Sequence, residues 1–519
     1  MAVDKVIVTN VAALRAKYGD KFARVKAAID AMIAADAGRN LVTRLIAIDS
    51  QTDMARVGAR AVTSAIDQAG AKAAVDAIYR HDRPDYIMLL GSRDVVPHIH
   101  LANPMLDLDK EEDPDVPSDV PYACEAPFSR RPEDFIGPTR VVGRLPDLNG
   151  ADEPSYLVKV LATAAKFVCR DPKDYSTHFA LTNQLWRRST RKSVIKLFGD
   201  DSSLFSSPPH GPRWTAAQLA PRIHFINCHG GSVSPDFFGE IPKRSFPIAH
   251  SARLLPARVT KGSVVAAECC FGAELYAPSS THGQMAICNA YLGEGAYGFF
   301  GSTGIAYGPS TGQGQADLIC QSFVASVLDG ASLGRATLEA RQLFVSKYSH
   351  TDPSDLKTAV QFLLLGDPSV QPVKAEPHAF SGSKVVKRAV KSGLLKPEAR
   401  EFRRERLVRT GSNLIRTVGS AVPSKIRMPA ATRRFLLRAA KESRIQRPTF
   451  KSFQVKFPRT AKLPELKNVR TDRTDRSIHM VIGTLRRKVA RESPERIVTA
   501  IIVTMERQQI VHVRRVHSR

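Results

Sequence analysis

The chain has 519 residues, of which 43% are hydrophobic, and this length predicts two or three domains rather than a single core. It contains no run of about 18 apolar residues and no basic leader before an apolar segment, which argues against a membrane-spanning protein and a secretory signal peptide and predicts a cytoplasmic location. The net charge of +26 is confined to residues 381–519, which hold 36 basic and 10 acidic residues, whereas residues 1–380 hold 40 of each.

Apolar segments and helical patterns alternate over the first 375 residues. The runs at 45–49 and 86–91 are typical of buried parallel strands, and residues 55–80 have the spacing of one or two helices. Further strands are predicted at 178–183, 223–228, 263–267, 297–301 and 362–366, and further helices at 155–168 and 316–328. This alternation predicts an α/β fold with a mostly parallel sheet flanked by helices.

Composition divides the chain into four predicted parts. A boundary near 150 separates two α/β halves, residues 1–150 and residues 151–375. Residues 376–447 are rich in Lys and Arg and are predicted to be a basic, partly helical extension. Residues 448–519 alternate in the manner of β-strands and are predicted to form a small β-rich domain.

The cysteines predict free thiols rather than a disulfide framework. Their number is odd, their spacing is irregular and no C-x-x-C pair occurs, so neither a disulfide-rich fold nor a zinc ribbon is expected. Most should be small buried residues, with one reactive member. The seven cysteines are Cys124, Cys169, Cys228, Cys269, Cys270, Cys288 and Cys320.

Two of the predicted strands end in residues that can carry chemistry. The strand at 223–228 runs into His229 and Gly230, and the strand at 263–267 runs into Cys269 and Cys270. In an open α/β sheet, ligands bind at the carboxyl ends of the strands, so a thiol and an imidazole delivered there form a minimal nucleophile–base pair. The alternative interpretation is a buried cysteine and a histidine in a turn, and the second His-Gly pair, at His282, shows how common that signal is.

Seven short motifs follow one another along residues 1–375, at 89–97, 118–122, 142–146, 229–232, 270–275, 301–313 and 366–369. In this order they resemble the gingipain-related family of cysteine peptidases, whose members share the caspase-type fold. The resemblance implies a caspase-like sheet in two halves. It also implies a cysteine endopeptidase that forms a thioester acyl-enzyme.

The resemblance also assigns roles to individual residues. The residues after Cys270 match the family's nucleophile segment, whereas the frame that starts at Cys269 does not, so Cys270 is the implied nucleophile and His229 its base. Cys269 and Cys228 are then expected to be buried packing. The implied donors of the oxyanion hole are the backbone N–H groups of Gly230 and Cys270.

The resemblance is weaker for the group that orients the histidine and for the specificity pocket. The family can place a carboxylate behind the histidine at the end of the strand 178–183, where this chain has Asn183 and Gln184, so a Cys–His dyad with at most an orienting amide is predicted. The segment that lines the specificity pocket in the family corresponds to Ser302, Thr303 and Tyr307. No acidic pocket residue can be assigned from the sequence, so a preference for arginine or lysine is not carried over.

The implied mechanism needs no cofactor and no metal ion. The Asp-rich stretch 107–119 lacks the spacing of an EF-hand and is predicted to be a solvated loop rather than a structural calcium site.

The basic region 381–519 has several interpretations. Its charge is typical of a solvated surface, of a contact with nucleic acid or an acidic protein, or of a self-inhibitory or processed extension. Its last part is predicted to contain a hairpin of strands 496–505 and 509–516. The alternative to a peptidase that cleaves protein or peptide substrates is therefore a catalytically silent caspase-like scaffold with a basic interaction module.

Overall fold

The computed structural model describes residues 3–107, 111–241, 245–309, 311–348, 352–375, 397–456, 476–485, 497–506 and 508–519. The strands are β1 (Lys5–Thr9), β2 (Thr43–Ala47), β3 (Tyr86–Leu90), β4 (Ile99–Ala102), β5 (Asp115–Ser118), β6 (Val142–Leu145), β7 (His178–Asn183), β8 (Leu204–Ser207), β9 (Ile223–Asn227), β10 (His229–Gly230), β11 (Asp236–Phe238), β12 (Ile248–Ser251), β13 (Val264–Ala267), β14 (Gly298–Ser302), β15 (Tyr307–Pro309), β16 (Phe362–Gly366), β17 (Ser420–Pro423), β18 (Ile445–Lys456), β19 (Arg476–Leu485), β20 (Ile497–Glu506) and β21 (Gln509–Ser518).

The α-helices are α1 (Val11–Tyr18), α2 (Phe22–Ala37), α3 (Gln51–Arg56), α4 (Gln68–Asp82), α5 (Ser155–Ala165), α6 (Arg187–Phe198), α7 (Ile287–Gly293), α8 (Gln315–Leu328), α9 (Leu333–Leu343), α10 (Pro353–Gln361), α11 (Pro397–Thr417) and α12 (Ala430–Glu442). Within the described ranges, no helix is both long and apolar enough to cross a bilayer.

Ten strands form one large sheet in the order β2-β1-β3-β6-β16-β14-β13-β9-β7-β8. Neighbouring strands run parallel everywhere except between β14 and β16, which are antiparallel. The predicted α/β fold with a mostly parallel sheet is therefore confirmed. Each of the seven predicted strands and each predicted helical segment has a counterpart, because fully buried parallel strands are long apolar runs.

The sheet has two sides that meet at the antiparallel pair. The strands β2, β1, β3 and β6, which belong to residues 1–150, are neighbours at one end of the sheet. β16, at residues 362–366, pairs with β6 and so lies next to them. The two sides share one continuous sheet, so the boundary proposed near 150 stays a prediction.

Three of the motifs in the first half meet in a buried ion network. Arg144 on β6 makes a bidentate pair with Asp119, at 2.6 and 2.8 Å, and donates to the main-chain oxygens of Gly91 and Val96. His98 is 2.9 Å from the same carboxylate. Because every partner is buried, this network holds the loops after β3 and β5 against β6 and is structural.

Burial corrects one prediction in part. Within the Asp-rich stretch 107–119, Asp107, Glu111 and Asp119 are buried and residues 115–118 form β5, so these residues are not a solvated loop, whereas Glu112 is exposed. Residues 108–110 lie outside the described residues. Glu111 pairs with Lys357 and accepts a hydrogen bond from Tyr307. Burying an ionised carboxylate without a partner costs free energy. The ion pairs with Lys357 and Arg144 and the hydrogen bond from Tyr307 offset this cost for Glu111 and Asp119.

An ion pair joins β1, the first strand along the chain, to the residue that follows β16, the last strand of the large sheet along the chain. Lys5 on β1 pairs with Asp367, 2.5 Å away, and with Asp36 on α2, 3.0 Å away, and all three side chains are buried. The motif at 366–369 thus contributes a structural carboxylate.

The C-terminal part forms a second, antiparallel sheet in the order β15-β21-β20-β19-β18-β17. The small β-rich domain and its hairpin, β20 and β21, are confirmed. The extension before it is only partly helical, since β17 separates α11 from α12, and residues 376–396 lie outside the described residues. α11 packs against the body through Leu407, whose carbonyl accepts a hydrogen bond from Gln342 on α9.

Candidate active site

The predicted nucleophile and base lie at the carboxyl ends of two neighbouring strands. β9 and β13 are paired in parallel, with Ile226 opposite Ala267, so both chains leave the sheet at the same edge. β9 continues into His229, and β13 continues through Glu268 into Cys270. The strand pairing thus brings together two residues that are far apart in the sequence.

The two loops touch at Gly230. A Cβ at this position would overlap the main-chain carbonyl of Cys270, so only glycine lets the histidine loop approach the cysteine loop this closely. Glu274 ties the same loops together, because its carboxylate accepts hydrogen bonds from the Val233 N–H at 2.7 Å and the Ser232 hydroxyl at 3.1 Å.

The backbone that follows Cys270 is held in an unusual conformation. Phe271 has φ +53°, in the left-handed region that non-glycine residues rarely adopt. Its N–H donates to the Gly304 carbonyl at 2.9 Å, and the Ala273 N–H donates to the Ser302 carbonyl at 2.8 Å. These bonds fix the turn that presents Cys270.

The adjacent cysteines point to different surroundings. The Cys269 thiol lies in the core, where it accepts a hydrogen bond from the Cys228 N–H at 3.3 Å. The Cys270 thiol faces Ala306 on the neighbouring loop, accepting from the Ala306 N–H at 3.3 Å and lying 3.5 Å from the Ala306 carbonyl. Within the described chain every cysteine is a free thiol, as expected, and all but Cys169 are buried.

His229 is oriented by a carboxylate rather than by an amide. Its Nε2 lies 3.0 Å from Glu240 Oε2, and both side chains are buried. A carboxylate can only accept, so Nε2 is the donor and acid–base exchange at the ring would involve Nδ1. The imidazole also packs against Trp186 and Phe246, with ring centroids 4.6 and 5.0 Å away.

Asn183 and Gln184 do not have the predicted role. The side-chain oxygen of Asn183 accepts from the Trp186 N–H at 3.0 Å, and Gln184 donates to the Pro208 carbonyl. The helper comes instead from a hairpin, since β10 pairs with β11 and brings Phe238 opposite His229, two residues before Glu240. Two sequence features could have indicated this hairpin: the Gly-Gly-Ser turn after His229 and the later Phe-Phe-Gly-Glu segment that ends at Glu240.

The thiol of Cys270 is neutral in this arrangement. Burial raises its pKa to about 12, against the smaller lowering by the Ala306 N–H and by Lys357. Thiolate formation therefore requires that solvent or a cationic imidazole reach the sulfur.

The three predicted pocket residues lie on the loop that faces Cys270, but their hydroxyl groups bond elsewhere. Ser302 donates to the Gly304 carbonyl, and Thr303 donates to the Pro117 carbonyl. Tyr307 donates to Glu111 and pairs through its backbone with Ser518 on β21. All three side chains are buried. β15, which begins at Tyr307, lines the strip that β21 occupies, and this strip is called the groove below.

β21 lies in this groove and ends beside Cys270. Beyond the β15–β21 pairing, the Arg519 N–H donates to the Ala306 carbonyl at 3.0 Å. The main-chain oxygen of Arg519 accepts a hydrogen bond from the Cys270 N–H, also at 3.0 Å. A main-chain oxygen of this chain therefore lies on one of the two predicted oxyanion donors.

The guanidinium of Arg519 fills a buried acidic pocket. It pairs with Glu268 at 2.5 Å and with Asp317 on α8 at 2.7 Å, and its carbon lies 4.9 Å from the Trp186 ring centroid. A Cβ at Gly308 would overlap the guanidinium, so glycine makes room for it. Burial and the neighbouring Asp317 raise the pKa of Glu268 well above its usual range, while Arg519 lowers it.

Sequence reasoning missed this pocket. Glu268 stands directly before the two cysteines at the end of an apolar strand, and a carboxylate in that place was the one local signal. Asp317, Trp186 and Arg519 come from elements far away in sequence, and nothing local marks them.

Across the described ranges, no three His, Cys, Asp or Glu side chains are grouped in a way that could hold a metal ion.

Comparison with known proteins adds little to this geometry. No protein-family model matches the chain, and no curated protein matches it. A solved structure described as "Structure of Protease" is similar over 99% of this chain and 97% of its own chain, with 12% identity and a TM-score of 0.46. A similarity this low shows neither the family nor the function of this chain.

Proposed function

We propose that the chain is a cysteine endopeptidase of the gingipain-like kind, in which Cys270 is the nucleophile and His229 the general base. The observation that carries the proposal is the main-chain oxygen of Arg519, held 3.0 Å from the Cys270 N–H at the strand edge where His229 also lies. An oxyanion hole needs such a donor, fixed in advance next to the nucleophile.

The chemistry follows from these positions. The Cys270 sulfur attacks the scissile carbonyl carbon as its proton passes to His229, and the oxyanion is held by the N–H groups of Cys270 and Gly230. Collapse of the tetrahedral intermediate breaks the C–N bond, and His229 gives its proton to the leaving amine. Water, deprotonated by His229, then hydrolyses the thioester and restores the thiol. Glu240 keeps the imidazole oriented throughout.

The proposed substrate is a peptide with arginine before the scissile bond. The pocket beside Cys270 offers two carboxylates and an aromatic face to a planar cation, and glycine at 308 leaves the necessary space. A guanidinium can bind two acceptors at once and stack on Trp186, which a lysine ammonium cannot do equally well.

The adjacent thiols provide a matched test of the nucleophile. Cys270→Ala should abolish hydrolysis of a fluorogenic arginyl peptide, whereas Cys269→Ala, which alters only a thiol in the core, should leave most of it. Circular dichroism would establish that both variants are folded. Full activity in Cys270→Ala would refute the assignment.

The histidines provide a second matched pair. His229→Ala should lower turnover by roughly three orders of magnitude or more, because it removes both thiol deprotonation and protonation of the leaving amine. His282→Ala changes an exposed histidine at the end of a short 3-10 helix and should leave the rate unchanged. Equal losses in the two variants would contradict the role of His229.

The alternative is a scaffold with silent chemistry and a basic module that contacts nucleic acid or an acidic protein. It predicts that Cys270 reacts with no peptidyl electrophile in any variant. Binding of a polyanion by the whole chain should then weaken steeply with added salt, because neutralised phosphates release counterions.

A further inference from the structure

We infer that β21 is an internal occupant of the substrate groove, so that activity is held low until residues 516–519 leave Cys270. The inference rests on the proposed function, in that the groove it closes is the one proposed to bind peptides. It identifies the segment that regulates the site.

The main chain of β21 is bound as an added strand. Residues Tyr307, Gly308 and Pro309 of β15 are paired antiparallel with Ser518, His517 and Val516. Peptides that add a strand to an exposed sheet edge obtain affinity from the same main-chain bonds. Among the described strands β15 pairs only with β21, so without β21 the hydrogen-bonding groups on that side of β15 would be open to an extended peptide.

The end of the strand is bound as a substrate would be. Arg519 has its main-chain N–H on Ala306, its main-chain oxygen on Cys270 and its guanidinium between Glu268 and Asp317. The Arg519 side chain is buried, and Cys270 is only 3% exposed. A second peptide could not reach the thiol or the acidic pocket while Arg519 remains there.

A second ion pair clamps the strand outside the pocket. Arg514 donates to Asp352 at 2.5 Å and to Asp355 at 2.7 and 2.9 Å, both near the start of α10. Neither of these carboxylates belongs to the catalytic pair or to the arginine pocket. Weakening this clamp would therefore favour release of β21 without altering the site.

Apolar packing completes the docking. Val516 is buried in one cluster with Tyr307 and Met105 from the body and with Met480 and Ile502 from the C-terminal sheet. β21 is also paired along its length with β20. Opening the groove thus requires that β21 either separates from β20 or moves away together with its sheet.

The test is the alkylation rate of Cys270 in the full chain, since this reaction does not require peptidase activity. Iodoacetamide would be added under native conditions, and labelling of Cys270 and Cys169 would be followed by mass spectrometry. Cys169 is partly exposed and serves as an internal reference. In the wild type, Cys270 should react far more slowly than Cys169.

Three variants of β21 test whether faster labelling of Cys270 comes from release of β21 or from a general loss of stability. Arg519→Ala and Arg514→Ala should each accelerate the labelling of Cys270 at least tenfold relative to Cys169. Arg515→Ala removes the same charge from an exposed position between them and should change nothing. If Arg519→Ala does not fold, Arg514→Ala decides the matter, because it leaves the pocket intact.

The outcomes distinguish this inference from the proposed function. If Cys270 is labelled equally fast in the wild type, Arg514→Ala and Arg519→Ala, the inference is wrong, even if all of them hydrolyse arginyl peptides. If labelling accelerates in both variants but no variant hydrolyses any peptide, β21 closes the site and the proposed function is wrong. Faster labelling together with faster hydrolysis by Arg514→Ala would support both.

Discussion

Arg144 and Arg519 are both buried and paired with carboxylates, and their surroundings differ. Arg144 meets one carboxylate, Asp119, and its remaining donors reach main-chain oxygens of the loop after β3. Arg519 meets two carboxylates, Glu268 and Asp317, from the large sheet and from α8. The first pair joins neighbouring elements of one half, whereas the second joins the last strand of the C-terminal sheet to the candidate active site.

The balance of charge differs between the two sites. At Arg144 one cation and one anion compensate each other, and Arg144 keeps the pKa of Asp119 well below its usual range despite burial, which raises it. At Arg519 one cation faces two acids, and the pKa of Glu268 is raised by burial and by Asp317. Lys5 also faces two buried carboxylates and is structural, so the proposed role of the Arg519 pocket rests on its position beside Cys270 rather than on its excess of carboxylate.

The largest expected effect is on stability at the first site. Arg144→Met should lower the free energy of unfolding by about 3–5 kcal/mol, because it leaves Asp119 buried with only His98 beside it. Urea denaturation would measure this loss. Arg44→Met, which breaks a pair with Asp82 at a side chain that is 43% exposed, should cost no more than about 1 kcal/mol. If Arg144→Met also cost no more than about 1 kcal/mol, the buried Arg144–Asp119 pair would contribute no more to stability than an exposed pair, and its structural role would be contradicted.

The next effect is on substrate selection at the second site. Glu268→Gln should lower kcat/KM for an arginyl peptide by about 10- to 100-fold, the value of a charge-assisted hydrogen bond. A peptide with citrulline in place of arginine is the control, since it keeps the shape without the charge. Discrimination between the two peptides should shrink in the variant. Unchanged discrimination would show that Glu268 does not read the charge.

Filling the arginine pocket should affect the accessibility of Cys270 and the binding of arginyl peptides in opposite directions. At Gly308 a methyl group occupies the space of the guanidinium, so Gly308→Ala should expel Arg519 and speed the labelling of Cys270 about tenfold, while hydrolysis of arginyl peptides declines. At Gly304 the new methyl group would make only ordinary contacts, 3.6 Å from Gln361 and 3.8 Å from Asp113, which makes Gly304→Ala the control. Slower labelling in Gly308→Ala would contradict the proposed position of Arg519.

The smallest effect is on the pH dependence of stability. A raised pKa in the folded state means that Glu268 stabilises the fold most below the pKa of an unfolded glutamate, about 4.3, and that this contribution is lost as pH rises. The stability of the wild type relative to Glu268→Gln should therefore fall as pH rises above about 4.3. Asp119, with a lowered pKa, has the opposite sign and loses its contribution as pH falls below about 3.9. Urea midpoints between pH 4 and pH 8 would measure the Glu268 slope, and parallel curves would contradict it.

Much of the fold could be predicted because its strands are buried on both faces. Runs such as 86–91 and 362–366 are apolar throughout, and this pattern does not depend on what the strand pairs with. β6 was not predicted, because Gly143 and Arg144 interrupt its apolar pattern. Its buried arginine is tolerated only through Asp119, which no local pattern reveals.

The sequence by itself determined where the candidate nucleophile and base should lie, because an apolar strand followed by a small-residue turn places its next residue at a sheet edge, wherever the strand sits in the sheet. The tertiary structure alone decided which groups surround them. Glu240 reaches His229 through a hairpin, and Arg519 reaches Glu268 across 251 residues. Such contacts depend on strand register and on the docking of a whole sheet, and these are set by packing between distant elements rather than by the residues next to each side chain.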